Sequence, residues 1–244
     1  MKIEIKFDES DAQSVREIVE RMAEHKIVTE RISRNVQRNG IVLSPDLIWK
    51  IHVGCLLTTR QKTKEGSPVN RFIHLKPFPL PLEMCTKQEN VADFARNKII
   101  EFGEIPRYNE IAKSIEQNLQ WLQNGGWAKL DFWLAPFERN NQPKDTERRC
   151  AEQIREQLNG FGPKQSRNLL QWLGLTQYEI PIDGRLINWL RGLGGDDPLY
   201  LLSSSALSDI NYYCCILDAI QKLCEVANVL PCIFDAAVYA SFES

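Results

Sequence analysis

The sequence predicts a mainly α protein, with no more than a short strand or arm at its N-terminus. Apolar residues recur at helical spacing along most of the 244 residues. Cap signals separate these recurrences. The clearest is Ser44-Pro45-Asp46, with serine as cap and proline at the first helical position. Strand-like alternation is confined to the opening residues, MKIEIKF.

Taken in order, Ser10-Asp11 is the expected cap of a helix reaching about residue 24, and 27–36 reads as a second helix. The apolar run LIWKIHVGCLL carries the helix that opens at Ser44 to about Gln61. Residues 63–81 hold Gly66 and four prolines, and are expected to form an exposed loop with one short ordered piece. Helical patterns resume near 90–102, 107–123, 127–137 and 144–158, then near 163–173, 183–192, 206–227 and 231–242. Residues 1–43 are expected to form an arm and helices packed on the remainder, and 44–244 the main helical domain. Tryptophans 121, 127, 133, 172 and 189 fit apolar helix faces and read as core.

Hydrophobic content of 43% and charged content of 25% are those of a globular protein. No run approaches the roughly 18–20 apolar residues of a membrane span. The charged start lacks the apolar core of a signal peptide. Seven cysteines, several of them inside helical apolar patterns, suit a reduced, cytoplasmic setting. The net charge of −2 hides an uneven distribution: residues 31–80 carry nine Lys/Arg against two Asp/Glu, and 146–191 seven against five. A phosphate backbone responds to such a local face rather than to the sum. By charge alone, a solvated basic surface fits as well.

Residues 158–183, LNGFGPKQSRNLLQWLGLTQYEIPID, hold the chemistry. Gly160 and Gly162 permit positive φ and the close approach of a foreign backbone. The helix that follows offers its first N–H groups to an anion. Lys164 stands in that first turn, where the positive end of the helix dipole favours a neutral, nucleophilic amine. Nineteen residues later, Asp183 supplies a carboxylate suited to stabilising positive charge on a sugar or to moving a proton. A surface lysine and a helix-capping aspartate are the plainer reading of the same pair.

LNGFGPKQSRN followed by IPIDGRLINWL resembles the helix-hairpin-helix base-excision DNA glycosylases. Those proteins carry Leu-x-Gly-x-Gly-x-Lys and then Val/Ile-Asp at this distance. The resemblance implies two helical lobes with a catalytic cleft between them, Lys164 as Schiff-base nucleophile and Asp183 as catalytic carboxylate. It also implies that Gly160 and Gly162 hold the DNA backbone. Cys55-Leu56-Leu57-Thr58-Thr59-Arg60-Gln61-Lys62 resembles the family's minor-groove turn, which makes Arg60 and Gln61 its wedge or opposite-base readers. Arg185 stands two residues after the aspartate, where many relatives carry histidine, and is expected at a phosphate.

Cys214, Cys215, Cys224 and Cys232 do not have the spacing of the iron–sulfur branch. His25, His52 and His74 are scattered, so neither a metal nor another cofactor is expected. The remaining features resemble the prokaryotic 8-oxoguanine glycosylase/AP lyase branch. They imply base flipping from duplex DNA that carries a damaged base. Asn168, Phe234 and Asp235 are candidates for the base pocket, with core or surface roles as their plainer reading. Two alternatives stay open: a glycosylase for another damaged or modified base, and a non-catalytic DNA-binding or partner-docking module.

Overall fold

The first helix begins earlier than the sequence suggests. Asp8 caps it, accepting the N–H groups of Ser10 and Asp11, while the Asp11 carboxylate accepts the N–H of Asp8. This reciprocal box satisfies N-terminal donors that Ser10 cannot reach. The computed structural model describes residues 7–59, 61, 66–138, 144–193, 203 and 205–243, and among these all regular structure is helical. The expected N-terminal strand lies mostly in residues 1–6, outside the described residues.

In chain order the helices are α1 (Glu9–Arg21), α2 (Lys26–Arg31), α3 (Pro45–Leu57), α4 (Pro68–His74), α5 (Leu82–Thr86), α6 (Val91–Phe102) and α7 (Tyr108–Trp121). They continue as α8 (Trp127–Leu134), α9 (Lys144–Gln157), α10 (Pro163–Trp172), α11 (Gly184–Leu193), α12 (Ile210–Ala227) and α13 (Pro231–Ser241). No single helix among the described residues is long and apolar enough to cross a membrane.

The chain divides into two compact units, and it crosses between them four times. The first unit comprises Met1–Ile41, Pro143–Ala151 and Gly174–Ser244. Its core gathers α1, α2, α11, α12 and α13, with Val15, Tyr213, Leu217 and Phe234 fully buried. α12 ends at Asn228, whose left-handed backbone (φ 56°) lets the chain turn through 95° before Pro231 opens α13.

The second unit comprises Val42–Gln142 and Glu152–Leu173. α3 is its central helix, buried on nearly every side and packed against α4, α5, α7 and α10. Gly54 lets α10 approach α3 closely, because a Cβ there would stand 3.0 Å from the Trp172 ring. Trp49, with no exposed surface, donates its indole N–H to the Leu80 carbonyl at 2.9 Å.

The short ordered piece expected within residues 63–81 is α4, which Ser67 caps with Pro68 at its start. Two expectations need correction: that stretch is not exposed throughout, since Phe72 and Leu80 are fully buried. The five tryptophans read as core are each half-buried, and Trp49 is the one that fills the interior. Helical spacing marks an apolar face without saying how completely a neighbour covers it.

Candidate active site

The glycine hairpin is held from three sides inside the second unit. Gly160 has φ +81°, and a Cβ there would stand 2.7 Å from Leu56 and 3.1 Å from the Ser114 hydroxyl. Both conformation and space therefore require glycine. Asn118, fully buried on α7, accepts the Asn159 N–H at 2.7 Å and donates to the Asn159 carbonyl at 2.9 Å. Phe161 stacks on His52 at 5.3 Å, and His52 stacks in turn on Trp49 at 5.1 Å.

His52 stays neutral because burial pushes its pKa down to about 3. The Asn118 carboxamide faces its Nε2 at 2.7 Å. Since the Asn118 oxygen already serves Asn159, its NH2 donates to Nε2, which leaves the imidazole proton on Nδ1. Gly162 differs from Gly160. Its φ of −90° suits any residue, and nothing lies within 4 Å of where a Cβ would stand. The open space flanks the cap of α10, where the first N–H groups point outward.

Lys164 is the second residue of α10 and is half-buried. Its side chain makes no hydrogen bond or ion pair among the described residues. Its charge reaches the Cys55 thiol, whose pKa burial raises and Lys164 pulls back. Behind it, Arg167 has no exposed surface. It donates to the Pro163 carbonyl at 3.0 Å and pairs with Glu152 at 2.9 Å, which fixes the first turn of α10.

Asp183 belongs to the first unit and opens α11. Its Oδ1 accepts the N–H groups of Arg185 at 2.9 Å and Leu186 at 3.1 Å, so the capping role is present. Its Oδ2 has a longer contact, 3.8 Å, with Arg185 Nε. The segment leading to it is pinned residue by residue. Buried Glu147 accepts the N–H groups of Gln177, Tyr178 and Glu179 at 2.8–2.9 Å. The Tyr213 hydroxyl accepts the Ile182 N–H at 2.8 Å and lies 3.2 Å from the Ile180 carbonyl.

No family model matches the sequence, and no curated protein matches it either. Solved structures do. The 8-oxoguanine DNA glycosylase of Methanocaldococcus jannaschii is 15% identical, with a TM-score of 0.60 over 95% of this chain and 94% of that one. That of Thermotoga maritima is 16% identical, with a TM-score of 0.60 over 93% and 95%. The chain has the fold of these glycosylases.

Within that fold the other expected site residues take different places. Arg60 lies outside the described residues. Gln61 follows α3 and donates to the Pro106 carbonyl at 3.3 Å. Arg185 lies 3.7 Å from the centre of the Tyr239 ring, a cation–π contact that orients it. Asn168 is buried and donates to Gln165 Oε1 at 2.9 Å. Asp235 pairs with Arg31 at 2.8 Å. Phe234 has no exposed surface and meets Trp189 edge-on, so it serves as core in this structure. Asn118, which holds the hairpin, and Glu147 and Tyr213, which hold the segment before the aspartate, carry no local motif; nor does Gln165, which bonds Thr58 and Thr59.

Proposed function

We propose that this protein is a base-excision DNA glycosylase with AP lyase activity, and that it removes an oxidised purine, 8-oxoguanine, from duplex DNA. The observation that carries the reading is Lys164 itself. It is a half-buried lysine whose side chain has no hydrogen bond or ion pair among the described residues, in the first turn behind a fixed glycine hairpin. The glycosylase fold supports it.

In this reading the hairpin and the first N–H groups of α10 receive a DNA phosphate beside Gly162, and the damaged nucleotide is flipped from the stack. The Lys164 amine, once it has given up its ammonium proton, attacks C1′ of the sugar. The bond from C1′ to the base breaks, and the base leaves with the electron pair and takes up a proton. Asp183, through the oxygen that capping leaves available, stabilises the positive charge that develops on the sugar. Loss of the amine proton and ring opening give an imine between Lys164 and C1′. Removal of a C2′ proton then expels the 3′ phosphate and breaks the strand.

Release profiling by mass spectrometry on a panel of damaged and modified duplexes, with borohydride trapping, tests this. Wild type is expected to release 8-oxoguanine and to be trapped on the duplex, and Lys164→Gln to do neither. Trapping with release of a different base would keep the lysine chemistry and overturn the substrate. Duplex binding without release or trapping on any lesion would favour a non-catalytic module.

A further inference from the structure

The turn after α3 and the first turn of α10 are joined through side chains, within the second unit. Gln165, 5% exposed and next to Lys164, donates its carboxamide N–H groups to the Thr59 hydroxyl at 2.8 Å and the Thr58 hydroxyl at 3.4 Å. Both hydroxyls give their own protons to the Cys55 carbonyl, at 2.9 Å from Thr58 and 3.3 Å from Thr59. They are therefore left as acceptors, and a primary amide offers two donors. Gln165 Oε1 is used as well, accepting from Asn168.

The polarity is thus uniform from Asn168 through Gln165 and the threonines to the Cys55 carbonyl in the last turn of α3, the negative end of that helix. Thr59 and Gln61 are also tied on another side. Arg107, with left-handed backbone (φ 60°), has its guanidinium 3.5 Å from the Thr59 carbonyl, and Gln61 reaches Pro106.

We propose that Gln165 is a positioning residue that couples the Thr58–Thr59 turn to Lys164, so that displacement of that turn by DNA is transmitted to the nucleophile. The inference rests on the reading of Lys164 as the nucleophile. Gln165 touches no reacting atom and acts only by fixing the turn from which Lys164 extends.

Gln165→Met keeps volume and flexibility without the donors, and Thr59→Val removes the hydroxyl that accepts from Gln165 and donates to the Cys55 carbonyl, at similar shape. The test compares wild type, both single variants and the double variant on a duplex containing an abasic site, which separates lysine chemistry from base recognition. Single-turnover imine formation is read by borohydride trapping at saturating protein, together with duplex affinity and Tm. Each single variant is expected to slow imine formation by about tenfold with affinity within about twofold of wild type, since small misplacements of a reacting group cost rate. The double variant is expected to be no slower than the slower single one, as for residues acting through one contact.

A merely structural role would lower Tm and leave the trapping rate at permissive temperature unchanged. That result overturns the inference, as does additivity in the double variant. If wild type itself forms no imine on the abasic duplex, the proposed function falls and this inference with it. Wild-type trapping with unaffected Gln165→Met overturns the inference alone.

Discussion

Gly160 and Gly162 look equivalent as letters, but their surroundings separate them. Gly160→Ala meets Leu56 and a positive φ, and is expected to destabilise the fold by about 2 kcal/mol or more in urea unfolding. Gly162→Ala meets neither and is expected to stay within about 0.5 kcal/mol of wild type. If Gly162 flanks a phosphate as proposed, its added methyl weakens duplex affinity despite the unchanged stability.

His52 makes a second prediction at this scale. Its folded pKa of about 3 lies below the ordinary value of 6.5, so the unfolded chain takes up the proton first. The neutral ring therefore stabilises the fold above about pH 6.5, and that contribution is lost as pH falls from there toward 3. Glu147 works in the opposite direction, since burial pushes it up to about 7 against the pull of three N–H donors. The informative measurement is consequently a comparison: His52→Phe should lose less stability than wild type between pH 7 and pH 4.5. Equal losses would show that His52 does not carry the dependence.

At the level of elements, position is set by buried polar side chains that hold otherwise irregular backbone. Glu147 offers both carboxylate oxygens to three successive N–H groups ahead of Asp183. In Glu147→Gln one oxygen becomes an amide donor facing donors, at a cost of about 1–3 kcal/mol in unfolding free energy. Asn118→Ala strips both backbone partners from Asn159 and is expected to cost a similar amount, on the order of 2 kcal/mol. Unfolding midpoints unchanged within error in both variants would remove these clamps from the account. The elements were largely legible in the sequence because caps and prolines are local signals. Ser44-Pro45 does begin α3, and Ser67-Pro68 begins the short ordered piece expected inside the proline-rich stretch, though the burial of Phe72 and Leu80 there was not legible.

Over the whole molecule, charge follows the division into units more than it follows the net value. The second unit carries sixteen Lys/Arg against thirteen Asp/Glu, and the first fourteen against nineteen. A duplex held by the positive unit should release counterions, with log affinity falling by about 0.9 per neutralised phosphate for each decade of salt. For about four phosphates a slope near −3.6 is expected, read by fluorescence anisotropy on undamaged duplex. A flat salt dependence would argue against backbone contacts as the basis of binding. The same division places Lys164 in one unit and Asp183 in the other, although only nineteen residues separate them in the chain.

By itself the sequence determined the helical class, the hairpin, the lysine in its first turn and the aspartate that opens α11, because each depends on residues only a few positions apart. Tertiary structure alone decided what surrounds them. Asn118 reaches Asn159 across 41 residues, and Gln165 reaches Thr59 across 106. It also decided that Phe234 is core, that Asp235 pairs with Arg31, and that Trp49 rather than the more conspicuous tryptophans fills the interior. Those outcomes turn on which helix faces meet, and helical periodicity marks a face as apolar without naming its partner.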